Sequence, residues 1–474
     1  MAANDAKASV PKKGFKPWQW CLIAVCMFLM FFGRVLPPIW GLGADAMLAI
    51  GIFIGTLLLL IFVDTNWPPL LLMIAIVVGG LMPVQGVLTA SMGNSVTQYV
   101  LFATMLAYSL RKSGFLERIA VWVSSRKLSK THPWLYITLL MAAPMFVGMF
   151  IDVMTNLIVF YTVYSQVLEH VGYKKGEKTP RLFVMTLLFM DALSAASTPI
   201  SHPAVILGMG MYETSTGSSV GFMQYCVWGA LFSVVVLAVT MLLLRFVFRM
   251  DISRFQSLEA SELQKNDAPI STSEKVNVAV FLGVVLLWVA PGLLQNVALG
   301  LYKAVNSWGT VTPALIGIIA LCLIHVDGEP LMNINEAATK GVAWGAVWLT
   351  ASTMLLLSLI GNADLGIIDA ATVALSSSIS GIAGIGFVLF GMLLVVIMSN
   401  FCSNNVSLAL AYTLTVPLIL AGTVSGVNPL VLTCMLSFGS QVAIATPAGS
   451  AYAGMANGFG WFDTAYQFRT GFLY

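Results

Sequence analysis

Four short polar stretches, set in otherwise apolar sequence, carry the residue types that bind charged solutes. Thr155-Asn156-Leu157 stands in the first half of the chain, followed by Thr198-Pro199 with Ser201 and His202 just beyond. Ser403-Asn404-Asn405 stands in the second half, followed by Thr446-Pro447. Each Thr-Pro trails its hydroxyl residue by 43 positions, and the two sets lie 248 positions apart. Polar breaks that recur at one offset mark an internal duplication with a site at its centre. A hydroxyl at a helix N-cap leaves the first N–H groups and the positive dipole end facing one small volume. Thr155 and Ser403 are read as those caps. Side-chain amides donate to carboxylates or accept around a cation, and Pro frees helix carbonyls. Two inverted copies of such a set suit a ligand with two carboxylates. An isolated Thr-Pro is a kink and an isolated Ser-Asn is a cap or an interhelical contact. The repeated spacing is what favours a site.

The elements that must position these residues are membrane helices. Hydrophobic residues make up 58% of the 474, charged residues 9%, and the mean hydropathy is +0.90. A soluble chain carries roughly 25% charged residues. The composition is that of an all-α polytopic membrane protein, whose partner is lipid. The net charge of +3 is spread among separate segments and does not form a nucleic-acid patch. The six cysteines are scattered in apolar segments without metal-ligand spacing, and the four histidines form no cluster. No metal or cofactor is expected. The basic residues 1–17 precede a long apolar stretch without a small-residue cleavage site, which reads as a first membrane helix.

In chain order, residues 1–44 are a tail and the first helix, and 45–249 form repeat 1. Within repeat 1, 112–132 read as an amphipathic surface helix, 133–170 as a re-entrant hairpin broken at Thr155-Asn156, and 181–210 as a helix broken at Thr198-Pro199. Residues 250–275 read as a solvent-exposed cytoplasmic linker. Repeat 2 spans 276–474, with a Ser-rich segment at 366–381, a hairpin at 383–421 and a helix over 429–457 broken at Thr446-Pro447. By the repeat, a last span matching 225–247 is expected after Arg469, so the final helix reads as truncated. All of the 23 Lys and Arg except Arg34 and Lys303 fall on one side if the N-terminus is cytoplasmic. The two hairpins then enter from opposite sides, which makes the repeats inverted.

These motifs resemble the divalent anion:sodium symporter family, over nearly the whole chain. That family has Ser-Asn-Thr at two hairpin tips and Thr-Pro in two broken helices. Thr155-Asn156-Leu157 and Ser403-Asn404-Asn405 stand at the tips, and Thr198-Pro199 and Thr446-Pro447 at the broken helices. The resemblance implies a carrier of di- and tricarboxylates such as succinate, malate, 2-oxoglutarate or citrate. It also implies a homodimer in the plasma membrane, with a scaffold and a transport domain working by an elevator motion. Sodium-using members place a hydroxyl four residues before the first tip residue. Here that position is Ile151, whereas the second copy keeps Ser399, so a surviving sodium site rests on Ser399 and Asn404. The reading is therefore a sodium-independent exchanger, with His202 as the only nearby side chain able to add positive charge.

The alternatives are a sodium-coupled dicarboxylate symporter and, more distantly, an ion antiporter of the same architecture. An intramembrane hydrolase would pair a hydroxyl with His202, but no Gly-x-Ser-x-Gly elbow is present, so the chain is not expected to be an enzyme. His202 is either functional or a neutral core histidine. Asp152 reads as a capping or hairpin-stabilising residue, Asp191 as a helix-pairing one, and Asp364 as lying at the outer surface.

Overall fold

Long apolar stretches bounded by Pro, Gly or charge become helices, and the polar breaks become their ends. The computed structural model describes residues 14–474 except 65, 127, 258–268, 295–296, 371–372, 375–383 and 448. Pro17–Val35, Ala44–Phe62, Lys178–Ser197, Phe222–Val247 and Thr272–Leu294 are each long and apolar enough to cross a membrane. Val311–Leu323 is bent by 77° from Leu299–Asn306, and Trp344–Ile360 by 72° from the short surface segment Ile334–Gly341. The first two helices touch backbone to backbone. A Cβ on Gly51 would lie 2.3 Å from the Leu29 carbonyl oxygen, so only glycine fits there.

The expected surface helix is Phe115–Ser124. It buries Leu116, Ala120 and Val123, exposes Trp122, and is tied to Thr272–Leu294 by Arg118 Nε to Glu274 Oε1 at 2.7 Å. The Arg126 guanidinium lies 3.8 Å from the centre of the exposed Trp122 ring, an arrangement suited to the lipid headgroup layer.

The hairpins are Pro133–Gly148 with Val153–His170, and Ile385–Ser399 with Asn404–Leu420. The broken helices are Lys178–Ser197 with Pro203–Thr216, and Pro429–Ser440 with Ala451–Gly458. The first tip differs from the expected one. Its break is at residues 149–152, and Thr155 and Asn156 lie inside the helix. Asp152 is the N-cap, and its Oδ2 accepts from the Thr155 backbone N–H at 3.1 Å. A carboxylate out-competes a hydroxyl three residues later for that role. The helix thus runs for 18 residues, longer than the arm expected from sequence. In the second copy Ser403 is the N-cap, as expected.

The inverted repeats share one tie. The Thr198 hydroxyl donates to the Met149 carbonyl, and the Thr446 hydroxyl to the Asn400 carbonyl. Each also accepts a backbone N–H just downstream, from Ile200 at 3.3 Å and Gly449 at 3.0 Å. Each Thr-Pro therefore bolts its broken helix to its own hairpin tip. Behind the first tip runs Lys178–Ser197, in which every residue from Leu182 onward is buried.

Two apolar clusters form the core. One joins both hairpins and both broken helices with Ser95–Lys112, Phe222–Leu242 and Thr272–Leu294. The other joins Pro17–Phe32, Ala44–Phe62 and Pro68–Val78 with one face of Trp344–Ile360. The segment expected as an exposed linker is partly anchored. Ser253–Ser257 forms a turn that buries Phe255 against Tyr136, Tyr173 and Phe183, because an aromatic in a polar loop has an apolar hole to fill. Residues 258–268 of that segment, most of the Ser-rich segment after 370, and the tail before residue 14 lie outside the described residues. A small strand pair that no sequence pattern marks joins His325–Val326 to Glu329–Pro330. Asp364 is exposed, in a short turn.

Candidate functional site

Four helix N-termini converge on one cavity of about 590 Å³. Their N-caps are Asp152, His202, Ser403 and Ser450, and all four line it. Three of the caps are spent on their own helices. Asp152 takes the Thr155 N–H, His202 Nδ1 takes the Ala204 N–H at 3.3 Å, and Ser450 Oγ takes the Ala453 N–H at 3.1 Å. Ser403 makes no such side-chain bond, so the helix beginning at Asn404 presents its first N–H groups uncapped. Unpaired N–H groups at a positive dipole end are an anion site.

The first tip is electrostatically different. Asp152 puts a negative charge at the helix end, and Arg111 stands opposite it. Arg111 Nη1 donates to Thr155 Oγ1 at 3.0 Å, and Thr155 Oγ1 in turn contacts Asp152 Oδ2 at 3.1 Å. Arg111 comes from the end of Ser95–Lys112 and lies 5.3 Å from the centre of the Tyr108 ring. The expectation that His202 is the only nearby source of positive charge is therefore corrected. Arg111 is permanently charged, whereas His202 uses Nδ1 as an acceptor, which a neutral ring does and an imidazolium does not.

The cavity reaches the surface at Lys340, whose side chain is 67% exposed. There Glu336 gathers Lys112 at 2.7 Å, Tyr108 at 2.9 Å and Lys340 at 3.3 Å. These bonds, that from Lys112 first, hold the Glu336 carboxyl down at about 2.

Of the residues singled out from sequence, Thr155, Pro199, Ser201, His202, Ser403, Asn404 and Asn405 line the cavity, as does Ile151. Asn156, Leu157, Thr198 and Thr446 are buried and do not line it, nor does the half-buried Pro447. Asn156 is fully buried and donates to Pro144 O at 2.8 Å and Asp191 Oδ1 at 2.6 Å. Asn404 Nδ2 donates to Tyr452 Oη at 3.0 Å and Gln441 Oε1 at 3.2 Å. Among the described residues the Oδ1 atoms of Asn404 and Asn405 have no partner. Ser399 is buried and its hydroxyl donates to Val396 O at 3.0 Å.

Arg111, Ser450 and Tyr452 were not singled out from sequence. Ser450 was within reach, because it follows Thr446 by the same interval as His202 follows Thr198. Arg111 was not, because a basic residue at a span end looks like any other topology marker.

Inverted hairpins meeting tip to tip at a polar cavity, between membrane-spanning helices, define a secondary transporter. The sequence signature of the sodium:sulfate symporter transmembrane region matches residues 16–474, and the chain belongs to that family, the divalent anion:sodium symporters. The fold is similar to the crystal structure of the Alcanivorax borkumensis YdaH transporter, which is described as having an unusual topology. The TM-score is 0.54 at 12% identity, over 82% of this chain and 83% of that one. No curated protein sequence matches the chain. The family is one of transporters and not of enzymes.

Proposed function

We propose that the cavity binds a dicarboxylate and that the protein exchanges such anions across the membrane without sodium. The observation that carries this reading is the pairing, in one cavity, of an uncapped helix end at Ser403 with a fixed guanidinium at Arg111. One carboxylate takes the N–H groups of the Asn404 helix, and the other takes Arg111, which offsets Asp152. Apolar Ile151 stands where sodium-using relatives carry a hydroxyl, so the first tip offers the guanidinium in place of a cation ligand set. With no cation ligand set at the first tip, no co-transported sodium drives net uptake, which leaves transport as a one-for-one swap.

Positive charge on the Lys112 and Lys340 face makes that face cytoplasmic, so the cavity opens inward. The two apolar clusters act as a transport body and a scaffold in an elevator motion. The carrier works as a homodimer in the plasma membrane, with its N-terminus inside. The test is uptake of labelled succinate, malate, 2-oxoglutarate, citrate and sulfate into vesicles. Each is measured with and without internal dicarboxylate, in sodium and in choline. Uptake of a dicarboxylate that needs internal substrate but not sodium is expected. The family's description favours a sodium-coupled reading, and uptake that needs sodium but no internal anion would establish it instead.

A further inference from the structure

Behind the first tip a carboxyl group is buried without a counter-charge among the described residues. Asp191 sits in the middle of Lys178–Ser197 and is 0% exposed. Its Oδ1 accepts from Asn156 Nδ2 at 2.6 Å, and its Oδ2 has no partner among the described residues. The Asn156 Oδ1 is likewise buried and unpartnered. The groups that act on Asp191 from the packed elements are Asp152, at the tip of the hairpin, and Tyr452, from the second broken helix. Asp152 carries the same sign, and Tyr452 is already committed to the Gln441 carbonyl at 2.6 Å. Tyr136, Tyr164 and Tyr225, on the other helices packed there, donate to the carbonyls of Ser124, Leu140 and Ala196. Cys226 and Cys434 on the neighbouring helices bring no positive charge. Arg181, at the far end of the same helix, lies over the Tyr466 ring. A bare carboxylate in such a place is strongly disfavoured, and taking up a proton removes that penalty.

The second repeat is an internal control. There Asn404 Nδ2 donates to Gln441 Oε1, as Asn156 donates to Asp191. Gln441 is equally buried and uncharged. Holding a tip asparagine thus needs only a neutral acceptor. The first repeat has an ionisable one, and it is coupled to the cavity. Asn156 bridges Asp191 and Pro144 O across the two hairpin arms, one residue from Thr155 and four from Asp152, which both line the cavity. The packing is tight, since a Cβ on Gly148 would lie 2.2 Å from Ser194 Oγ and 2.7 Å from Asn156 Nδ2.

We propose that Asp191 is a proton-binding site that links transport through this cavity to protons. Its carboxylate takes one proton from water on the open side to become a neutral acid, and the loaded site moves in that form. Loss of the proton sets a second negative charge behind Asp152, opposes the bound anion and pulls on Asn156. The proposal rests on the cavity being the anion site but not on which anion it takes.

The experiment is succinate exchange in reconstituted vesicles, with equal pH on both sides, over about pH 6.5 to about pH 9, where the substrate stays a dianion. The wild-type rate is expected to fall about tenfold per unit above the titration point of Asp191. Asp191→Asn is expected to be flat, because Asn keeps the acceptor for Asn156 and never ionises. Asp191→Glu is expected to keep the fall with a shifted midpoint. Matching profiles for wild type and Asp191→Asn would overturn the proposal. A changed sodium dependence with an unchanged pH profile would also overturn it, making the site one for a metal cation. Where Asp191→Asn does not fold, Asp191→Glu and dye-detected proton uptake by the wild type on adding succinate decide the matter. No uptake with no shift refutes. If sulfate is carried and succinate is not, the dicarboxylate reading fails, and the same pH comparison made with sulfate still tests Asp191.

Discussion

Arg111→Gln separates the two ends of the proposed ligand. The guanidinium is held at 3.0 Å from Thr155 Oγ1, in the same cavity as the uncapped tip at Ser403. A hydrogen bond to a charged group contributes about 1.5–3 kcal/mol. At about 1.4 kcal/mol per decade, its loss weakens dicarboxylate binding about tenfold to about a hundredfold. The variant also leaves Asp152 unbalanced, which places the cost toward the upper end. Adding Asp152→Asn should therefore recover part of the loss, because Asn remains a good N-cap while removing the repulsion. The assay is competition of unlabelled succinate against labelled succinate exchange, with a monocarboxylate of the same chain length as control. The monocarboxylate, which needs only the Ser403 end, should change little. An unchanged apparent affinity for succinate in Arg111→Gln, at normal folded yield, would refute the two-ended arrangement.

Asn404→Asp puts a negative charge at the uncapped helix end and should weaken anion exchange about tenfold or more. Thr198→Val and Thr446→Val each leave a tip carbonyl without its hydroxyl donor, so each should cost about 1–3 kcal/mol and lower the thermal midpoint in detergent. The Glu336 carboxyl is held down at about 2, so its bonds to Lys112, Tyr108 and Lys340 are present above its ordinary range and lost only as pH falls through that value. Glu336→Gln, and not mild acid, should therefore disturb the mouth of the cavity, read as a changed exchange rate at neutral pH. A cysteine placed at Lys178 should react only with reagent supplied from the cytoplasmic side, and labelling from outside would reverse the topology. Lys265, the other site suited to this test, lies outside the described residues.

Composition and spacing alone reveal the class of solvent, the duplication and the places where the chain breaks. A charged fraction of 9% excludes a water-soluble core, and polar breaks in lipid survive only where they line a cavity or another part of the protein. Those constraints act locally along the chain, so Thr198-Pro199, Ser403 and Thr446-Pro447 were legible as breaks. The tertiary structure decided which side chain at each break faces the cavity. Asp152 displaced Thr155 as the cap, because a carboxylate three residues earlier starts the helix there and takes the Thr155 N–H itself. That shift turned Asn156 inward onto Asp191 and left Thr155 facing Arg111. It also placed Asp152 and Ser403 251 positions apart, whereas Thr198 and Thr446 remain 248 apart. Arg111 reaches the cavity from a helix distant in sequence, by packing that no local pattern records. The repeat fixed where the chain must break, and the competition among caps, carbonyls and buried amides in three dimensions fixed what each break presents to a ligand.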